Sequence, residues 1–100
     1  MTISMQYVKM PTSEALTAYT MKRLDKLASK YHWLINATVH FKVEKEQDPH
    51  AKKICEIELS LPGPKIFAQS KEKNFEMAVK ETMSDLERQL KKRKETTFHH

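Results

Sequence analysis

Ala37-Thr38-Val39-His40-Phe41-Lys42-Val43 and, after a break, Cys55-Glu56-Ile57-Glu58-Leu59-Ser60-Leu61 are the two runs whose reading decides the fold. In both, apolar and polar residues alternate one by one, and a strand sends successive side chains to opposite faces. Ala37, Val39, Phe41 and Val43 therefore share one face, with Thr38, His40, Lys42 and Glu44 on the other. In the second run Cys55, Ile57, Leu59 and Leu61 point inward, and Ile54, Glu56, Glu58 and Ser60 point outward. Strands of this pattern bury a single face, so something apolar has to cover that face and only that face. The intervening Glu46-Gln47-Asp48-Pro49-His50 reads as a loop.

Working outward, Pro62-Gly63-Pro64 makes a tight connection to a fourth strand over Lys65 to Gln69. Upstream, Thr2 to Val8 places Ile3, Met5 and Tyr7 on one side of a short strand that Met10-Pro11-Thr12 ends. Two stretches then change to helical spacing. From Glu14 to Tyr31, Leu16, Thr20, Leu24, Leu27 and Tyr31 fall in one stripe, with Ser13 as N-cap and Glu14 suiting the helix dipole. From Asn74 to Lys94, with Asn74 as N-cap, the stripe is Phe75, Val79, Met83, Leu86 and Leu90. The order strand, helix, three strands, helix predicts a right-handed first crossover joining two parallel strands. It predicts an α/β (α+β) two-layer sandwich, β-α-β-β-β-α, whose four-stranded mixed sheet carries both helices on one face. Residues 1–95 are expected to form a single domain, and residues 96–100 a flexible end.

The 100 residues suit one domain, and 39% hydrophobic against 31% charged residues gives a modest core under a well-solvated surface. Eighteen Lys and Arg against 13 Asp and Glu leave a net charge of +5, and a pI near 9.4. That balance favours a polyanionic partner. The densest basic run is Arg88 to Lys94, with Arg88, Lys91, Lys92, Arg93 and Lys94 and no acid among them. One cysteine, Cys55, excludes an internal disulfide framework and fits a reducing cytoplasm. The polar N-terminus lacks a signal peptide's apolar stretch, and no run approaches the roughly 20 apolar residues that span a bilayer. A cytoplasmic protein is expected.

No catalytic constellation is visible, so no enzyme, metal or cofactor is expected. His32, His40, His50, His99 and His100 stand apart from acidic or thiol partners at metal-ligand spacing, and His99 and His100 fit either the remnant of a purification tag or the native end. Cys55 reads as a small core residue, Trp33 and the phenylalanines Phe41 and Phe75 as packing. What remains are cations on the helices. Lys22, Arg23, Lys26 and Lys30 on the first, and Lys80, Arg88, Lys91 and Lys92 on the second, would form two ridges flanking a shallow groove, a spacing suited to RNA phosphates. The plainer alternative is a solvated surface on which these cations pair with Asp25, Glu81 and Glu87.

The run Asp85-Leu86-Glu87-Arg88-Gln89-Leu90-Lys91-Lys92 is close to a Lys-Leu-Glu-Arg-Gln-Leu-Lys-Lys run typical of short ribosome hibernation-promoting factors. Ser13-Glu14-Ala15-Leu16, Arg23-Leu24-Asp25-Lys26-Leu27 and the stretch Leu59 to Pro64 add to the likeness, which extends over residues 3–95. The chain thus resembles that family, which includes the ribosome-associated inhibitor of translation. The resemblance implies the same fold and binding to the small ribosomal subunit, in the channel of messenger and transfer RNA, silencing and protecting idle ribosomes. Arg88, Lys91 and Lys92 match basic positions of the family's last helix, and Arg23 and Lys26 match basic positions of its first; Lys22, Lys30 and Lys80 come from helix geometry alone. The sequence departs where the family opens its last helix with Asp-Met-Tyr, since Asn74-Phe75-Glu76 stands there. It shows no counterpart of the second domain of long members or of the acidic tail of some inhibitors. Two other readings stay open: a general double-stranded-RNA module, and a protein-interaction domain with incidental basic charge.

Overall fold

The computed structural model describes residues 1–45 and 48–98. Its elements run β1 (Thr2–Tyr7), α1 (Glu14–Lys30), β2 (Asn36–Val43), β3 (Lys53–Ser60), β4 (Ile66–Glu72) and α2 (Phe75–Phe98). The sheet has the order β1-β2-β3-β4, with β1 parallel to β2 and the other two pairings antiparallel. The expected mixed sheet and β-α-β-β-β-α order are therefore present.

Register explains how one core serves both helices. Ile3, Met5 and Tyr7 of β1 stand opposite Ala37, Val39 and Phe41 of β2, which stand opposite Leu59, Ile57 and Cys55 of β3. Leu59 and Ile57 in turn face Ile66 and Ala68 of β4. These side chains pack in one cluster with Leu16, Leu24, Leu27 and Tyr31 from α1 and with Ala78, Val79, Leu86 and Leu90 from α2. Both helices consequently lie on the same layer. Phe41 is at the centre, fully buried, with the Tyr7 ring 5.0 Å away and the Phe75 ring meeting it edge-on at 5.6 Å.

Each helix begins as its cap residue dictates. Ser13 accepts a hydrogen bond from the Leu16 amide through Oγ, and Asn74 accepts one from the Met77 amide through Oδ1 at 2.8 Å. Tyr7 anchors α1 to β1, its hydroxyl 2.6 Å from Thr17 Oγ1 and donating to the Ser13 carbonyl. Two threonines are fully buried in the helical stripes without cost, because each hydroxyl finds a carbonyl one turn back: Thr20 donates to Leu16 and Thr82 to Ala78.

Several boundaries and one orientation differ from the sequence reading. β4 begins at Ile66 and continues to Glu72 rather than ending at Gln69, because Lys71 and Glu72 still pair with Ile54 and Lys53 of the longer β3. α2 continues past Lys94 to Phe98, as no glycine or proline stops it. Of the end expected to be loose, residues 96–98 are thus helical, while His99 and His100 lie outside the described residues, as do Glu46 and Gln47 of the β2–β3 loop. Ile54, expected to face outward, is buried on the open side of the sheet. In register it sits between Lys42 and Lys71, which are tied to Glu56 and Glu44 at 3.0 and 3.3 Å. Lysines held that way lay their alkyl stems over an apolar neighbour.

Cys55 is fully buried, and its environment makes a testable statement. Burial pushes the thiol up to about 12, the nearby Glu56 charge adds to this, and the Thr82 hydroxyl works against it. At pH 8 a thiol-specific reagent should therefore leave the folded protein unlabelled, with modification only as fast as the fold opens. Because the thiol is a weaker acid folded than unfolded, this contribution to stability is intact below the ordinary thiol range and is lost as pH climbs towards 12. Labelling of native protein at the rate of an exposed cysteine would contradict this burial.

Candidate nucleic-acid interface

Where α1 and α2 run side by side they leave a groove of about 310 Å³, lined by Arg23, Lys26, Leu27, Lys30, Lys80, Met83, Ser84 and Glu87. Helical spacing accounts for the cations on the α1 wall. Tyr19, Arg23, Lys26 and Lys30 recur at intervals of four, three and four, which places them on one stripe beside the buried one. Leu27 and Met83 supply the apolar floor, so the charges stand at the rim of a low-dielectric surface rather than in open solvent.

The three α1 cations are held differently. The Arg23 guanidinium lies 4.5 Å from the centroid of the Tyr19 ring. A guanidinium held over a ring face is attracted by the ring and keeps N–H donors available to an anion. The Lys26 side chain makes no ion pair or hydrogen bond among the described residues, and the same holds for the Lys80 side chain on the opposite wall. Lys30 crosses the groove to Glu87 Oε2 at 2.6 Å. Its hydrogen bond to that carboxylate, and then the carboxylate's charge, raise the lysine above its ordinary range, so it remains a full cation.

The structure brings together Arg23, Lys26, Lys30 and Lys80, half of the eight cations named from sequence, and separates the rest. Lys22 is exposed on α1 but does not line the groove. Lys26 faces the groove with Arg23. Lys91 is exposed one turn beyond Glu87, along the same line of α2. Arg88 is occupied locally, 3.4 Å from Asp85 and 3.4 Å from Ser84 Oγ. Lys92 turns towards β4, where with Ile66, Gln89, Arg93 and Thr96 it borders a second depression of about 380 Å³. Of the four α2 cations named from sequence, Lys80 alone lines the groove, since Arg88 is engaged by Asp85 and Ser84 and Lys92 borders the second depression.

The comparison with known proteins bears on what such a groove is for. Residues 3–97, nearly the whole chain, match the family described as sigma 54 modulation protein / S30EA ribosomal protein. The chain belongs to this family. The S30EA chain is 32% identical over 93 residues to the ribosome hibernation promoting factor of Pseudomonas putida, an alignment spanning 93% of this chain and 84% of that protein. A solved ribosomal subunit interface protein from Coxiella burnetii has a TM-score of 0.83 at 30% identity, covering 94% of this chain and 98% of that one. The N-terminal domain of Protein Y from Thermus thermophilus shares the fold, with a TM-score of 0.78 at 22% identity over 92% and 98% of the two chains. The likeness carried by Asp85 to Lys92 thus led to the right family.

Two residues of this S30EA family member escaped the sequence reading. Glu87 was placed among surface acids, yet it bridges to the other helix. Arg93, one of the basic run, is committed to the β3–β4 turn: Nη1 donates to the Pro62 carbonyl at 3.1 Å and Nη2 to the Pro64 carbonyl at 2.8 Å. Between those prolines Gly63 has φ of 91°, and a Cβ there would sit 3.2 Å from Arg93 Nη1. The positive φ is what favours glycine at this turn, and a side chain there would also crowd the end of Arg93. Neither contact has a sequence signal, since each joins residues at least 29 positions apart.

Proposed function

We propose that this S30EA family member binds the small ribosomal subunit in the channel used by messenger and transfer RNA, and silences idle ribosomes by occupying it. The names of its relatives, a ribosome hibernation promoting factor and a ribosomal subunit interface protein, support a ribosome-associated role in hibernation. The observation that carries the finer reading is the interhelical groove, where Arg23, Lys26, Lys30 and Lys80 meet over an apolar floor with one acid among them. Cations at that spacing suit consecutive phosphates of a folded RNA surface, and the gain comes chiefly from release of the counterions those phosphates held.

In this reading Arg23, Lys26 and Lys80 make the central phosphate contacts, Lys30 is a conditional fourth, and Lys22, Arg88, Lys91 and Lys92 are peripheral. Inhibition follows from occupancy, so the protein works without catalysis, cofactor or small-molecule substrate, in the cytoplasm where ribosomes are. Pelleting with purified small subunits across a salt series tests it. Log affinity should fall linearly with log salt, with a slope of about 2–4 in magnitude for three or four phosphate contacts. Affinity indifferent to salt would reject the reading in favour of a protein-interaction surface. Equal affinity for any plain RNA duplex would reject the ribosomal channel in favour of a general duplex binder.

A further inference from the structure

The groove built to meet an anion already contains one. Glu87 is the only acidic side chain among the described residues lining it. Its partner Lys30 belongs to the other wall, 57 positions away in sequence, and the contact is 2.6 Å. Both groups remain open to solvent, the lysine side chain 57% and the carboxylate 33% exposed, so an incoming ligand can reach either of them. A carboxylate oxygen at this distance from the ammonium takes the place that a phosphate oxygen would take.

We infer that Glu87 is a specificity-determining residue: it occupies Lys30 as an internal substitute for phosphate and so weakens binding to RNA backbones in general. The inference rests on the nucleic-acid reading of the groove. A phosphate approaching Lys30 must displace the carboxylate, and one docking at Lys26 or Lys80 still meets its charge, since screening at ~0.1 M salt acts over about 10 Å. Bare backbone therefore gains less from the groove than four cations would suggest. A folded RNA that presents a donor to Glu87, an exocyclic amino group or a 2′-hydroxyl, turns the same carboxylate into a hydrogen-bond acceptor. Penalising the wrong ligand is as effective a route to selectivity as improving contacts to the right one. An exposed bridge is weak and easily opened, which suits a residue that adjusts affinity rather than blocking the site.

Glu87→Gln keeps the size of the side chain and removes its charge. Filter binding of the full chain to a plain RNA duplex should show about fivefold tighter binding at ~0.1 M salt, and a slope steeper by about 0.7–0.9, one added phosphate contact. Affinity for small subunits should rise less, so that the preference for subunits over duplex shrinks. Lys30→Gln should change duplex binding less than about twofold in the native background, yet abolish the gain in the Glu87→Gln background, a coupling that a double-mutant cycle measures. Duplex binding that is unchanged or weaker in Glu87→Gln, or a gain that survives Lys30→Gln, overturns the inference. Lys26→Glu/Lys80→Glu run alongside separates the two levels. If that variant loses subunit binding while Glu87→Gln does nothing, only the role of Glu87 fails; if it binds normally, the groove reading itself fails and the inference with it.

Discussion

Reversing the charges of Lys26 and Lys80 together should detach the protein from the small subunit, with affinity at ~0.1 M salt falling roughly 30-fold or more. The salt slope should drop by about 1.4–1.8 in magnitude, the share of two phosphate contacts. One residue lies on each wall of the groove, so the variant acts on the place where the helices meet and not on one helix alone. Neither lysine side chain has an intramolecular ion pair or hydrogen bond among the described residues, and both residues are exposed. Surface changes of that kind usually alter stability by no more than about 0.5 kcal/mol, so a melting curve close to the native one should accompany the lost binding. Adding Arg23→Glu should deepen the loss, although it also removes the stack on Tyr19. A well-folded double variant that pellets with subunits like the native protein would remove the groove from consideration.

Phe41→Ala should have the largest effect on the fold itself, about 3–5 kcal/mol, the usual consequence of emptying a phenylalanine site in a core. The ring is fully buried on β2, between Tyr7 of β1 and Phe75 at the start of α2. Its loss therefore loosens three elements at once, and the surrounding rings cannot collapse into the gap without leaving their own positions. A domain of this size has about 5–8 kcal/mol of net stability, so little would remain. The melting temperature should fall by roughly 15–30 °C, and the urea midpoint should fall with an unchanged slope. Subunit binding should return on cooling, because the groove's side chains are intact and only the platform beneath them is weakened. A loss under about 1 kcal/mol would show that this face of the sheet repacks far more easily than its ring contacts imply.

The fold was legible because the determinants were local. Alternation over Ala37–Val43 and Cys55–Leu61 fixes which residues point inward, and the stripe Leu16-Thr20-Leu24-Leu27-Tyr31 fixes the face of α1. Ser13 and Asn74 advertise the helix starts through side chains that bond within three residues. What failed was set by partners distant in sequence. Ile54 reads as outward from alternation, and only cross-strand neighbours show that Lys42 and Lys71 cover it. The end of β4 depends on the length of β3, which cannot be known before the two are paired. The site was half legible for the same reason. Helical spacing groups Arg23, Lys26 and Lys30, but the rotation of α2 against α1 decides that Lys80 and Glu87 face them while Lys92 turns to β4.

Sheet order and chain order coincide in this molecule, β1-β2-β3-β4. Every strand therefore finds its neighbour without any segment having to pass between two others. β2 connects to β3 through nine residues and β3 to β4 through five, and among the strands only β1 and β2 have to be brought together across an intervening helix. Loop-closure entropy grows slowly with separation, so even that step is modest, and the β1–β2 pairing is the one strand pairing of this sheet of the long-range kind that slows many β proteins. The meander of residues 36–72 can form as a template on which both helices then condense. Refolding should accordingly be fast, leaving little time for half-assembled chains to find one another and aggregate.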